Sequence, residues 1–179
     1  MNTITYAFLT ENNFNENSLD DFLRHQVVTE RWRKNIDNEY VLMPEDYVYE
    51  WDLKQRQEVA RKILKVLKEN GFAYGALCEG KVVGYIVVSN EIFGSNNQYT
   101  NLPLFHISEP YRGCGIGKKL FHLACENAKK NGAQKLYISA SSSTESQAAY
   151  RKMGCIEAME INQAKAEAEP EDVQMEYIL

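Results

Sequence analysis

The sequence predicts one mixed α/β domain over residues 1–179, because strand-like and helix-like patterns alternate along the whole chain. Short apolar runs of strand length recur from the beginning of the chain to its end. Longer segments with an amphipathic helical period lie between them, and no internal repeat or linker-like stretch divides the chain. The predicted order of elements is β-α-α-β-β-β-α-β-α-β-β.

The first part of the chain is predicted to contain one strand and two helices. Residues 4–9 are a strand candidate, and Ser18 is a suitable N-cap for a helix over residues 19–27. Asp52 caps a second helix with an apolar stripe, which ends near the pair Asn70-Gly71. Residues 30–51, between these helices, show no clear period but are rich in aromatic and acidic side chains.

The rest of the chain is predicted to be mostly strands with two more helices. Residues 72–78 and 81–89 flank Glu79-Gly80 and therefore predict a β-hairpin. A strand then ends at Ile107, and a helix follows that closes at Asn131-Gly132. The remaining elements are a strand at 135–139, a helix from Ser143 or Thr144 through Met153, a strand at 155–161, a loop at 162–172 and a strand at 173–178.

The segment Arg112-Gly-Cys-Gly-Ile-Gly-Lys118 is the strongest functional signal in the sequence. It lies between an apolar strand pattern and an amphipathic helix pattern. Glycines let the backbone approach a ligand closely, and the first N–H groups of a helix have no partner within the helix. The helix dipole adds partial positive charge, so a phosphate or pyrophosphate is the expected ligand.

Two common phosphate motifs do not fit this spacing. A Walker A loop requires a glycine where Arg112 stands and a serine or threonine where Lys119 stands, and that hydroxyl would bind magnesium. A dinucleotide-binding fingerprint requires a glycine where Lys118 stands. The loop is therefore neither of these motifs.

The pattern Arg-x-x-Gly-x-Gly, formed by Arg112, Gly115 and Gly117, resembles the acyl-CoA pyrophosphate loop of the GNAT N-acetyltransferase superfamily. The segment Ala149-Tyr-Arg-Lys-Met-Gly-Cys155 is similar to that family's Phe-Tyr-x-x-x-Gly-Phe signature, with alanine and cysteine in place of the two phenylalanines. The resemblance is specific over residues 80–160, where strand, loop, helix, strand and the tyrosine motif occur in the family's order.

This resemblance implies a mostly antiparallel central sheet with a splayed parallel strand pair, flanked by helices. Acetyl-CoA is the implied co-substrate, and no metal is expected. The pantetheine arm would pair with the backbone of the strand at about residues 100–108, at Phe105 and Ile107, in the gap beside the strand at 135–139. The diphosphate would be held by the loop, with Arg112 and Lys118 as positive charges. The loop residues concerned are Arg112, Gly113, Cys114, Gly115, Ile116, Gly117 and Lys118.

The same resemblance implies catalytic residues. Tyr150 occupies the family's usual general-acid position, and a phenol can protonate a departing thiolate late in the reaction. Packing of a half-buried tyrosine is the structural alternative. Family members often carry a glutamate base on the strand before the loop, but this strand has no carboxylate, and His106 is its only titratable group. A core histidine is the alternative for His106, and Glu50 is a lower-ranked base.

Acidic and aromatic residues predict the wall that binds the acceptor. They are Glu45, Tyr47, Tyr49, Glu50 and Trp51, and a second acidic stretch lies at 167–172. Ion pairing and cation–π contact would suit a small cationic amine. The alternative is a solvated acidic surface.

Composition limits the class of protein. The net charge of −5 argues against nucleic acid or an anionic membrane as partner. No apolar stretch is long enough to span a membrane, no signal peptide is evident, and the four cysteines lack metal-ligand spacing. A cytoplasmic N-acetyltransferase acting on a small molecule is therefore expected. A protein or peptide N-acetyltransferase and a non-catalytic CoA-binding sensor module are the alternatives, and the apolar C-terminal strand would allow a homodimer.

Overall fold

The computed structural model describes residues 3–179, in which the chain forms eleven strands and four α-helices. The strands are β1 Ile4–Leu9, β2 His25–Lys34, β3 Tyr40–Glu50, β4 Phe72–Cys78, β5 Lys81–Val88, β6 Ile92–Phe93, β7 Tyr99–Asn101, β8 Leu104–Ile107, β9 Lys135–Ala140, β10 Ile156–Glu157 and β11 Val173–Ile178. The helices are α1 Leu53–Lys68, α2 Ile116–Lys130, α3 Thr144–Lys152 and α4 Gln163–Ala168.

Two sheets diverge from each other in the middle of the fold. One has the strand order β1-β4-β5-β8 and the other the order β10-β11-β9-β7-β6. Strand β7 pairs in parallel with β9, whereas β8, which follows after Leu102 and Pro103, pairs antiparallel with β5. The predicted continuous strand at 100–108 is therefore two strands. Beyond the bond from Leu102 N–H to Tyr137 O, β8 and β9 separate and leave a gap, which confirms the expected splayed pair.

Apolar side chains form a separate core on each face of the sheets. Helix α2 contributes Leu120 and Ala124 to one core, and helix α1 contributes Ala60 and Ile63 to the other. The predicted cap of α1 is confirmed, because the Asp52 carboxylate accepts from the Gln55 N–H at 2.8 Å and the Gln55 side chain accepts from the Asp52 N–H. The amphipathic helices therefore hold the two sheets from opposite sides.

The helix predicted over residues 19–27 is wrong. Residues 17–21 are turns, and strand β2 begins at His25. The Ser18 hydroxyl accepts from the Asn15 N–H at 2.9 Å, so it closes a local turn and does not cap a helix. Leu19 and Phe22, which suggested a helical stripe, are buried in the core beneath α1.

The aperiodic segment 30–51 is mostly a β-hairpin formed by β2 and β3. The hairpin crosses the open end of the gap. Just before β2, Leu23 O accepts from Glu109 N–H beyond β8, and within β2 the Trp32 N–H donates to Ser142 O beyond β9, both at 2.9 Å. Strand β2 therefore extends from the end of β8 to the end of β9.

The C-terminal strand is not the exposed apolar strand that the sequence suggested. Strand β11 lies between β9 and β10, and its apolar residues Val173 and Met175 are buried within the chain. The predicted strand at 155–161 is reduced to β10, and the loop predicted at 162–172 contains the short helix α4. Among the helices in residues 3–179, none is both long and apolar enough to cross a membrane.

Candidate active site

The glycine-rich loop is an open turn that leads directly into α2. Gly113 and Gly115 have φ values of 75° and 80°, in the left-handed region that favours glycine. A Cβ atom at either position would meet no described atom within 4 Å, so both glycines face open space. The loop therefore leaves its concave face free for a ligand.

The first turn of α2 adds backbone donors to this loop. Gly115 is the N-cap, and the first helical bond runs from Lys119 N–H to Gly115 O at 3.2 Å. The N–H groups of residues 116–118 have no partner within the helix. Buried Ile116 fixes the turn against the core, and the Lys118 side chain is exposed beside it. This arrangement can bind a diphosphate through backbone N–H groups and the helix dipole.

Arg112 makes contacts that position the loop. Its Nε donates to Ile107 O at 3.1 Å, and its Nη1 donates to His25 O at 2.6 Å. The guanidinium thus connects the loop to the end of β8 and the start of β2. Only its remaining N–H groups are free for the expected role as a charge on the diphosphate, and the other cation of the loop is the exposed Lys118.

The backbone of β8 presents polar groups to the gap. Ser108 N–H donates to Val83 O at 2.9 Å, and the direction of backbone groups alternates along an antiparallel strand. The backbone groups of His106 therefore face β5, and those of Phe105 and Ile107 face the gap. These are the two residues that the sequence assigned to the pantetheine arm. Ile107 O accepts from Arg112, while Phe105 is available to an extended ligand.

Tyr150 projects from α3 toward β8. Its ring centroid lies 6.2 Å from that of Phe105, so the tyrosine reaches across the gap from the β9 side. Burial, with the charges of Cys155 and Asp172, raises the pKa of the Tyr150 hydroxyl well above its usual range. The phenol therefore stays protonated at neutral pH and can act as a donor.

His106 lies on the opposite face of β8, between two aromatic rings. Its ring centroid is 5.0 Å from that of Trp51 and 5.8 Å from that of Tyr85. Burial, with the positive charges of Arg24 and Arg112, lowers the pKa of His106 to about 3. The imidazole is therefore neutral at pH 7 and is a weak proton acceptor, although it can still form hydrogen bonds.

The residues predicted to bind a cationic acceptor have partners within the chain. The Glu45 carboxylate lies 3.5 Å from Arg31 Nε and 3.8 Å from an Arg33 nitrogen. The rings of Tyr47 and Tyr49 lie 5.5 and 5.4 Å from the Arg31 guanidinium. The Glu45 carboxylate and both tyrosine rings therefore already contact a positively charged side chain of the same chain.

The other two members of that predicted set lie apart from each other. The side chain of Glu50 is 74% exposed and 3.9 Å from His25. Trp51, unlike Glu50, packs against His106. Glu50 therefore faces solvent, whereas Trp51 belongs to the region beside β8.

Sequence reasoning missed two groups near this region. Arg24 precedes β2 and is buried beside Tyr49 and Trp51, although nothing in its sequence context marks it. Asp172 belongs to the acidic stretch that the sequence did single out, but its burial was not foreseen. Burial and the charge of Glu169 raise the pKa of Asp172 to about 6, and the charge of Asp172 in turn affects Tyr150.

The raised pKa of Asp172 predicts a pH-dependent cost to stability. The folded state keeps the proton up to about pH 6, while the unfolded carboxyl loses it near about pH 4, so stability falls as the pH rises through this window. We expect Asp172→Asn to raise the free energy of unfolding by about 2 kcal/mol at about pH 8 and to leave it unchanged near about pH 4. Urea denaturation at both pH values measures this difference.

Asp37→Asn is the matched control, because Asp37 is exposed in the turn between β2 and β3. This substitution should have little effect at either pH. An equal gain from Asp172→Asn at both pH values would show that burial of the charge is not its cause.

The sequence matches one known family. A profile of the Acetyltransferase (GNAT) family matches residues 30–155, which is well over half of the chain. No curated protein matches the sequence.

Solved acetyltransferases share the fold. A nourseothricin acetyltransferase is 17% identical with a TM-score of 0.71, and 98% of each chain is covered. A putative streptothricin acetyltransferase from Bacillus anthracis, in complex with acetyl coenzyme A, is 20% identical with a TM-score of 0.65 over 99% of this chain and 98% of the other. The PaiA N-acetyltransferase from Thermoplasma acidophilum, in complex with coenzyme A, is 15% identical with a TM-score of 0.60 over 99% of both. At sequence identities of 15% to 20%, the similarity establishes that these proteins share the fold and nothing further.

Proposed function

The chain belongs to the GNAT acetyltransferase family and is an acetyl-CoA-dependent acetyltransferase; from that premise we propose that it transfers the acetyl group directly to the primary amine of a small molecule, with Tyr150 as general acid. The observation that carries this proposal is the position of Tyr150. Its ring lies beside Phe105 at the gap, on the path that begins at the open glycine-rich loop.

Acetyl-CoA is the co-substrate, and the described residues fit it. The loop N–H groups at 113–118 would hold the diphosphate, and the free backbone groups of Phe105 would pair with the pantetheine arm. The acyl end would then lie near the ends of β8 and β9. Tyr150 and His106 approach this region from opposite faces of the sheet.

Tyr150 would protonate the leaving group. The acceptor nitrogen attacks the thioester carbonyl carbon, the carbon–sulfur bond breaks, and the thiolate takes a proton from the phenol as the nitrogen loses one. A phenol already carries its proton at neutral pH, and burial raises the pKa of the Tyr150 hydroxyl further. Its proximity to Phe105 supports donation at the gap.

Two side chains are candidates for the base that accepts the proton from the amine. His106 was the choice from sequence, but its pKa of about 3 makes it a weak acceptor at neutral pH. Asp172, with a pKa of about 6, is better matched to this role. We therefore assign His106 to hydrogen bonding with the acceptor, and Asp172, whose charge acts on Tyr150, is the candidate base.

The β2–β3 hairpin supports a small acceptor over a peptide. Because β2 is hydrogen-bonded near both ends of the gap, it covers the side on which a peptide groove would be needed. The names of the nourseothricin and streptothricin acetyltransferases also point to small-molecule acceptors for those proteins. A cationic acceptor, expected from the acidic and aromatic residues, gains no support, because Arg31 and Arg33 already match Glu45.

A free-thiol assay with acetyl-CoA and a panel of amines tests this proposal. The panel contains small primary amines that carry a positive, a neutral or an anionic substituent, and short peptides with free N-termini. We expect at least one small amine to raise thiol release above the hydrolysis rate and the peptides to have no effect. Activity with peptides alone would favour a peptide acetyltransferase, and acetyl-CoA binding without transfer would favour a sensor module.

A further inference from the structure

Arg24 is a buried cation at the acceptor side of β8. The residue is 9% exposed, and its guanidinium carbon lies 5.1 Å from the Tyr49 ring and 5.9 Å from the Trp51 ring. Its backbone is fixed by the bond from Trp51 N–H to Arg24 O at 3.2 Å. The side chain is therefore held inside the fold, between the hairpin and the sheet.

Within residues 3–179, part of the Arg24 guanidinium is buried without a hydrogen-bond partner. Neither Nε nor Nη1 has a partner among the described residues, although both atoms are buried. The hydroxyl of fully buried Tyr85 also has none. Because buried polar groups in native proteins are nearly always hydrogen-bonded, these two orphaned groups indicate that a polar ligand belongs between them.

Both orphaned groups belong to one cluster. Tyr85 and Trp51 each pack against His106, and Arg24 packs against Trp51. Arg24 and Tyr85 also influence each other's ionisation, as expected for neighbours. The cluster surrounds His106 on β8, the end strand whose free edge faces the gap.

The electrostatic surroundings of Arg24 are positive. The charged groups that influence it are Arg112, Tyr85 and Tyr49, and none is a carboxylate. The other buried arginine of this region, Arg31, is matched by Glu45 at 3.5 Å and Glu171 at 3.6 Å. Glu45 of the hairpin and Glu171 near β11 thus neutralise Arg31, whereas Arg24 has no counter-ion among the described residues.

We propose that Arg24 and the Tyr85 hydroxyl together bind a carboxylate on the acceptor, so that the substrate is a small amine that also carries a carboxylate group. A guanidinium presents N–H donors in a planar fork that matches a carboxylate, and a phenol supplies one more donor. This inference rests on the proposed function and defines its substrate class. It replaces the cationic acceptor expected from sequence with an acceptor that bears a negative charge.

Bound carboxylate would also affect His106. The positive charge of Arg24 is one of the causes, after burial, that lower the pKa of His106. An anion on Arg24 would offset that charge and would bring the imidazole closer to its ordinary basicity. Substrate binding and the hydrogen-bonding capacity of His106 are therefore coupled.

Matched acceptors test the proposal through turnover. With 4-aminobutanoate and 4-aminobutanamide as acceptors, we expect kcat/KM to be about 10- to 100-fold higher for the carboxylate, as expected for charge-assisted hydrogen bonds. In Arg24→Met this ratio should fall to about 1, while the affinity for acetyl-CoA stays unchanged. Arg61→Met, on the exposed side of α1, is the control and should keep the wild-type ratio. Equal rates for the two acceptors in the wild type would overturn the proposal.

A binding measurement tests the same site without turnover. We expect sodium propionate, but not propionamide, to raise the Tm of the wild type, and we expect Arg24→Met to abolish this shift. Because two buried nitrogens of the guanidinium have no hydrogen-bond partner among the described residues, Arg24→Met should also have a higher Tm than the wild type. If that variant does not fold, Tyr85→Phe provides the second variant and should reduce the propionate shift.

The two measurements separate the inference from the proposed function. Transfer to amines without any effect of propionate or of the carboxylate group would overturn the carboxylate site and leave the acetyltransferase reaction standing. A propionate shift that depends on Arg24, without transfer to any amine, would support the anion site and contradict the proposed small-molecule reaction. An equal propionate shift in the wild type and in Arg24→Met would show that the anion binds elsewhere and would also overturn the site.

Discussion

Gly115→Asp is expected to lower the affinity for acetyl-CoA by about 100-fold or more while the protein remains folded. Gly115 is the N-cap of α2 and faces open space at the centre of the loop. An aspartate there would place a carboxylate on the N–H groups that would hold the diphosphate, and it would repel the ligand's charge. Aspartate tolerates positive φ better than most residues, so the backbone strain at this position should be modest and the protein should remain folded. Isothermal titration with acetyl-CoA measures the loss.

Gly132→Asp is the matched control for this prediction. Gly132 lies just past the other end of α2, has a φ of 93°, and also faces open space. The same substitution therefore meets similar backbone strain and similar exposure, but it is far from the loop. We expect its affinity for acetyl-CoA to equal that of the wild type. An equal loss in both variants would mean that damage to the helix is responsible and that the loop has no special role.

Tyr150→Phe is expected to lower kcat by about 100-fold or more, with the affinity for acetyl-CoA unchanged. The substitution removes the proton donor but keeps the ring that packs against Phe105. Loss of transition-state stabilisation without loss of ground-state binding identifies a group that acts in the chemical step. Steady-state kinetics with the best amine of the panel, together with the titration, separates these effects.

Tyr177→Phe is the corresponding control. Tyr177 packs on Phe121 in the same core, and burial raises the pKa of its hydroxyl as well. Removing that hydroxyl should leave kcat close to the wild-type value. Wild-type turnover in Tyr150→Phe would show that Tyr150 has only a packing role.

The parts of the fold that sequence predicted correctly depend on short-range signals. The loop and α2 follow from closely spaced glycines before an amphipathic run. The β4–β5 hairpin follows from Glu79-Gly80, and both residues adopt positive φ in the turn. Asp52 was recognised as a cap because it directly precedes an amphipathic run, and its observed partner Gln55 is only three residues away. In each case the residues that determine the structure are neighbours in the chain.

The parts that sequence missed depend on contacts between distant segments. The β2–β3 hairpin has no clean alternation, because nearly all of its side chains are exposed or only half-buried. The same folding brings Arg31 and Glu45 together, and this pairing removes the basis for a cationic acceptor. The burial of Arg24 follows from packing against Trp51, which is 27 positions away in the chain. No local sequence pattern predicts this burial.

Titration of the wild-type protein with acetyl-CoA, with ATP and NAD as comparison ligands, tests the assignment of the glycine-rich loop. The claim is that the loop from Arg112 to Lys118 binds the diphosphate of acetyl-CoA and thereby directs its acyl end to Tyr150. It predicts saturable micromolar binding of acetyl-CoA at one site, no displacement by ATP or NAD, and loss of binding in Gly115→Asp. If acetyl-CoA does not bind, or if either nucleotide displaces it, the claim is contradicted.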